Sequence, residues 1–134
     1  MRCSMIFLDS TYLIGLILKN DSLYYKSHLL KSYLDDENKI INNTVFNEVL
    51  NSVTSNNSNH DLNHIKKLLL SFNIDFLTSD DYLDSFDIFE YYNFSVNFSD
   101  CTILNTMQNY NINQIASFDS DFDKIKGVKR IYLK

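Results

Sequence analysis

The chain has 134 residues, a formal net charge of -5 at pH 7, 45% hydrophobic and 22% charged residues, two glycines and no proline. That size suits one domain, residues 1–134, with a single core, and the composition is ordinary for a globular fold. The charge excludes long-range attraction to nucleic acid, so such a partner needs a local basic patch or bridging cations, and the scarcity of glycine excludes Walker or dinucleotide phosphate loops.

Cys3 and Cys101 do not make a disulfide framework. Asp9 falls where the apolar core of a secretory signal would lie, and Tyr12 to Leu18 is too short to span a bilayer. The expectation is a soluble, cytoplasmic protein with no membrane partner.

Ser4 to Leu8 is an apolar run that ends in Asp9, Ser10 and Thr11. A buried strand there delivers Asp9 to a sheet edge, and ligands of open α/β sheets bind outside the carboxyl ends of strands. Asp9 as a simple helix cap is the competing reading. Tyr12 to Lys19 is apolar nearly all round, as a buried helix is. Asn20-Asp21-Ser22 is a turn and cap signal before a helix from Leu23 to Leu34. Asp35 to Asn38 breaks that helix, and Lys39-Ile40-Ile41 is a short strand. Asn42-Asn43-Thr44 caps a helix with Val45, Phe46, Val49, Leu50 and Val53 on one face and Glu48 inside it.

Ser55 to Asn59 is polar and unpatterned, a loop between helices, and a helix follows from Asp61 to Phe72. Ile74 to Leu77 predicts a third strand. Thr78-Ser79-Asp80 caps a helix through Tyr92, and Ser99 is the expected N-cap of a helix from Asp100 to Tyr110. Gln114 to Phe118 is a fourth strand ending in Asp119, and Val128 to Leu133 closes the chain as an edge strand. Strands alternating with helices argue for a parallel sheet.

Asp9, Glu48, Asp100 and Asp119 each sit where an apolar element meets a polar one. Parallel strands would bring Asp9 and Asp119 to the same edge, and returning helices could bring the other two alongside. Crowded carboxylates raise one another's pKa, and a hard divalent cation such as Mg²⁺ or Mn²⁺ relieves that repulsion. Taken singly, each has a plainer role: Asp100 as a first-turn charge, Glu48 as a solvated face residue, Asp119 and Asp121 as turn formers.

Four segments in order, Ile6 to Thr11, Asn43 to Leu50, Phe98 to Leu104 and Ser117 to Phe122, resemble the PIN-domain pattern. That pattern is a strand-end Asp with hydroxyl neighbours, a helix Glu, a helix-start Asp and an Asp-x-Asp strand exit. The match is similar to the short VapC-type toxin ribonucleases. The resemblance implies a three-layer α/β/α fold with a mostly parallel sheet of four to five strands. It also implies a Mg²⁺- or Mn²⁺-dependent endoribonuclease that hydrolyses RNA phosphodiesters through an activated water. Asp9, Glu48, Asp100 and Asp119 would be the metal-binding quartet, with Asp121 as a further member. Ser10, Thr11 and Ser117 would support them. A homodimer and a small antitoxin partner are implied in the same way. The alternative is a catalytically inactive PIN-like module for protein interaction.

Asn105 and Thr106 stand where the family often has small apolar residues, and the usual glycine between the last two motifs is missing; both read as drift. Lys124, Lys126, Lys129 and Arg130 are the basic cluster nearest the acidic residues, candidates for RNA phosphate with a solvated surface as the equal alternative. His60 and His64 have the i, i+4 spacing of a zinc-binding helix, but Asp61 replaces the general-base Glu of that motif and the pair follows a polar loop, which favours a solvated helix start. Cys101 reads as a packing residue. The aromatic run Phe86, Phe89, Tyr91, Tyr92, Phe94 and Phe98 reads as core and dimer face.

Overall fold

The computed structural model describes residues 5–54 and 62–133. Short apolar runs become the strands of a five-stranded sheet: β1 (Met5–Leu8), β2 (Asn38–Asn42), β3 (Asn73–Asp75), β4 (Gln114–Ala116) and β5 (Lys129–Ile131). All pairings are parallel, in the order β3-β2-β1-β4-β5. A parallel sheet is covered on both faces, so its strands need continuous apolar runs rather than alternation. Phe7, Leu8, Ile40, Ile41, Ile115 and Ala116 are accordingly buried.

Among the described residues six helices make the outer layers: α1 (Ser10–Ile17), α2 (Tyr24–Leu34), α3 (Asn43–Thr54), α4 (Leu62–Leu70), α5 (Ser79–Tyr91) and α6 (Phe98–Asn109). The chain steps from β1 to β3 in one direction, then crosses to β4 on the far side of β1. Right-handed crossovers place α1 to α4 on one face of the sheet and α5 and α6 on the other. The order therefore reverses between β1 and β4, and ligands of such sheets bind at that reversal.

Side-chain caps open three of the helices. Asn42 Oδ1 accepts from the Val45 amide at 3.2 Å, which opens α3. Thr78 and Asp81 form a reciprocal capping box at the start of α5. One cap differs from expectation. Asn97, not Ser99, caps α6, its side chain accepting from the Ser99 amide at 2.8 Å. Asn and Ser cap about equally well, so the sequence alone leaves that boundary two residues loose.

Val45, Val49 and Val53 recur every fourth residue on α3 and are buried. Each contributes on the order of 1.5–3 kcal/mol of burial. Gly15 is the close-approach point of α1 and α2: a Cβ there would collide with Ser27 Oγ and crowd the Leu23 carbonyl. The aromatic run divides. Phe89, Tyr92 and Phe98 are partly buried, whereas Phe86, Tyr91 and Phe94 are exposed. No helix among the described residues is long and apolar enough to cross a membrane.

Candidate active site

Asp9 leaves the carboxyl end of β1, and its amide is bound to the Ala116 carbonyl of β4 at 3.0 Å. The residue occupies the N-cap position of α1 but makes no side-chain capping bond. Its carboxylate instead faces the reversal point, where Ser117 Oγ donates to Oδ2 at 2.6 Å and Thr11 Oγ1 at 2.9 Å. Ser10 is buried, and its backbone amide also faces Asp9. Ser117 is fully buried and has a second task, accepting from the Asp119 amide at 3.0 Å. Thr11 Oγ1 accepts from the Phe118 amide. Two hydroxyls thus tie the exit of β1 to the exit of β4.

Asp119 caps a short 3₁₀ turn, Ser120–Lys124, with Oδ1 accepting from the Asp121 amide at 2.9 Å. Helix α6 returns toward β4 and so runs against the strands, which brings its first turn, with Asp100, to the same edge. Helix α3 leaves β2 at that edge and carries Glu48. Asp100, Asp119, Asp121 and Glu48 line one cavity of about 510 Å³, together with Thr44, Asn51, Ser52, Asn97 and Ser99. Asp9 does not line it and is only 5% exposed.

Electrostatics show how closely these groups are gathered. Burial, followed by the charges of Asp9, Asp119, Glu48 and Asp121, pushes the Asp100 carboxyl up to about 7. Burial also raises Asp9, against the lowering effect of its bonds from Ser117 and Thr11. The other four sequence-predicted acids therefore all lie within Coulombic reach of Asp100. No group of three His, Cys, Asp or Glu side chains among the described residues is arranged to hold a metal ion as it stands. The donor set is nonetheless all carboxylate, the chemistry that suits a hard cation such as Mg²⁺ or Mn²⁺.

The basic cluster is less available than its sequence suggests. Arg130 is largely buried and forks onto Asp123, with both nitrogen–oxygen distances at 2.9 Å, and onto the Ser117 carbonyl at 3.3 Å. Its donors fix the loop that carries Asp119 and are not turned to solvent. Lys124 pairs with Asp121 at 3.4 Å, while Lys126 and Lys129 are exposed. His64 lies in the first turn of α4; His60, Asp61 and the expected Ser55–Asn59 loop lie outside the described residues. The sequence reading missed Thr44, Asn51 and Ser52. They stand four residues before and three and four after Glu48, so helical spacing from Glu48 would have found them.

The PIN domain family profile matches residues 6–128. No curated protein sequence matches. Solved structures share the fold at low identity. VapC20 of Mycobacterium tuberculosis, described as a toxin that cleaves the sarcin-ricin loop, is 18% identical, with a TM-score of 0.73 over 89% of this chain and 93% of that one. A chain of a toxin–antitoxin complex from Klebsiella pneumoniae is 20% identical, with a TM-score of 0.73 over 92% and 95%. A chain of VapBC2 from Rickettsia felis, solved with a DNA fragment from its promoter, is 14% identical, with a TM-score of 0.64 over 96% and 98%. By the profile that spans nearly its whole length, the chain belongs to the PIN domain family.

Proposed function

We propose that the protein is a metal-dependent endoribonuclease, the toxin of a toxin–antitoxin pair. The observation that carries this reading is the gathering of Asp9, Glu48, Asp119 and Asp121 around Asp100 near the sheet's reversal point, with Asp100 pushed up to about 7 by burial and then by their charges. Asp9, Asp100, Asp119 and Glu48, with Asp121, would hold Mg²⁺ or Mn²⁺. Such an ion supplies Lewis acidity, activating a water and offsetting charge on the leaving oxygen of a phosphodiester.

The chain's own residues do the rest. Ser117 and Thr11 fix Asp9 in one rotamer. Ser117 and Arg130 hold the strand exit that presents Asp119, and the exposed Lys126 and Lys129 offer charge to RNA phosphates. The kinship of the fold to a ribonucleolytic toxin and to toxin–antitoxin complexes supports RNA as substrate and a small antitoxin as partner. A second copy would cover the exposed apolar residues of α5, Leu83 and Phe86, and Phe94 beyond it.

Cleavage of single-stranded and structured RNA with and without Mn²⁺ tests the reading, alongside melting in a Mn²⁺ titration. The nuclease cleaves only with the ion, and its melting temperature rises as the ion is added. An inactive protein-interaction module shows neither response.

A further inference from the structure

Asn105 and Thr106, which depart from the family's small apolar residues, are not drift: each carries a polar contact from α6 to another element, and Thr106 belongs to a polar network. Asn105 Nδ2 donates to Asp81 on α5 at 3.2 Å. Thr106 Oγ1 donates to Asp75 at 2.8 Å and accepts from Asn42 Nδ2 at 3.1 Å.

Asn42 is the centre of this network. It is the last residue of β2 and is fully buried. Its Oδ1 caps α3 at Val45, and its Nδ2 reaches α6 at Thr106 Oγ1 and at the Thr102 carbonyl, 3.3 Å away. Ser, Thr or Asp could cap α3 equally well, but only an amide of this length adds two donors aimed the other way. One turn closer to the site the same helices meet again, Thr44 Oγ1 against Thr102 Oγ1 at 2.9 Å, and Thr102 Oγ1 donates to the Ser99 carbonyl beside Asp100. Helices α3 and α6 otherwise share little packing, far less than α5 and α6. Apolar contact tolerates sliding, whereas a buried polar network is satisfied in one arrangement only.

We infer that Asn42 is a positioning residue: by joining the cap of α3 to the second and third turns of α6, it sets Glu48 against Asp100. The inference rests on the nuclease reading for its catalytic consequence, but not for the geometry.

The test uses Asn42→Ser, which keeps a cap for α3 and loses the reach to α6, and Thr106→Val, which removes the acceptor and keeps the cap. Thr106→Ser, which restores the hydroxyl, serves as the conservative rescue. Each folded variant is titrated with Mn²⁺ by calorimetry and assayed on RNA. In parallel, spin labels on exposed sites of α3 and α6, Asn47→Cys and Gln108→Cys in a Cys3→Ser background, report the spacing of the two helices without metal. Asn42→Ser and Thr106→Val lose Mn²⁺ affinity by on the order of tenfold or more. Their kcat falls while KM for RNA holds, their spin-label distances shift or broaden, and Thr106→Ser behaves as wild type. Unchanged distances and affinity in folded Asn42→Ser overturn the inference. If wild type takes up no Mn²⁺ but the distances still shift, the nuclease reading fails and the positioning role of Asn42 stands.

Discussion

Two carboxylates on neighbouring helices, Asp81 on α5 and Asp100 on α6, meet opposite surroundings. Asp81 accepts four hydrogen bonds: from the Thr78 amide and hydroxyl at 2.8 and 3.1 Å, and from Asn105 and Asn109 at 3.2 Å each. The Thr78 amide leads the contributions that hold its carboxyl below the usual range. Asp100 is given burial and four like charges, and it is pushed up to about 7. A carboxylate used to join elements is surrounded by donors. One crowded with other acids is destabilising in the bare protein, and such expense is characteristic of functional sites.

The sharpest way to break the comparison is to neutralise each acid in turn. Asp100→Asn is expected to lower RNA cleavage by on the order of 10²-fold or more, while leaving the metal-free protein as stable as wild type or more so. Unfolding by that single change would make Asp100 a structural cap instead. Cleavage assays and thermal melts decide between the two.

The next largest effect is in pH. Because Asp100 is raised from 3.8 to about 7 on folding, the folded chain binds its proton more tightly than the unfolded chain. The contribution is favourable below about 4 and is lost as pH rises through 7. Asp9 acts in the same direction. Metal-free protein should therefore be more stable near pH 5 than at pH 8, by on the order of 2 kcal/mol after discounting for solvent screening. Urea unfolding across that range measures it, and Asp100→Asn should flatten most of the difference.

A smaller effect is expected at Asp81. Asp81→Ala removes the capping box of α5 and the acceptor for Asn105 and Asn109, at a cost of about 1–2 kcal/mol in urea unfolding. RNA cleavage per folded molecule should stay near wild type. A large loss of activity there would show that the α5–α6 joint also governs the site. Smallest is Lys31→Ala at the exposed Lys31–Asp35 pair, where a change of about 0–1 kcal/mol is expected.

How much of this was legible in sequence follows from the range of each interaction. Strand exits at Asp9 and Asp119 were legible because an apolar run ending in a carboxylate is a local pattern. The Val45, Val49, Val53 stripe was legible because its period is helical. The resemblance picked out Glu48, which spacing alone would have left as a solvated residue. What escaped notice depends on partners far along the chain. Asn42 bonds Thr102 and Thr106 some sixty residues later, and Asn105 bonds Asp81 on another helix; neither pairing leaves a periodic trace. Within the basic cluster Arg130 was illegible for the same reason: it is drawn inward by Asp123 and the Ser117 carbonyl. At Asn97 and Ser99 two equivalent caps lay two positions apart, and only the backbone chose.

The near-neutral titration of Asp100 has a further consequence for the ionic traffic of the pocket. A group with a pKa of about 7 is half neutral at pH 7, so the empty cleft carries less than its full complement of negative charge when a polyanion approaches. A cation captured there must evict hydrogen ions to the buffer. On the nuclease reading, uptake of a cation would therefore weaken as the medium is acidified.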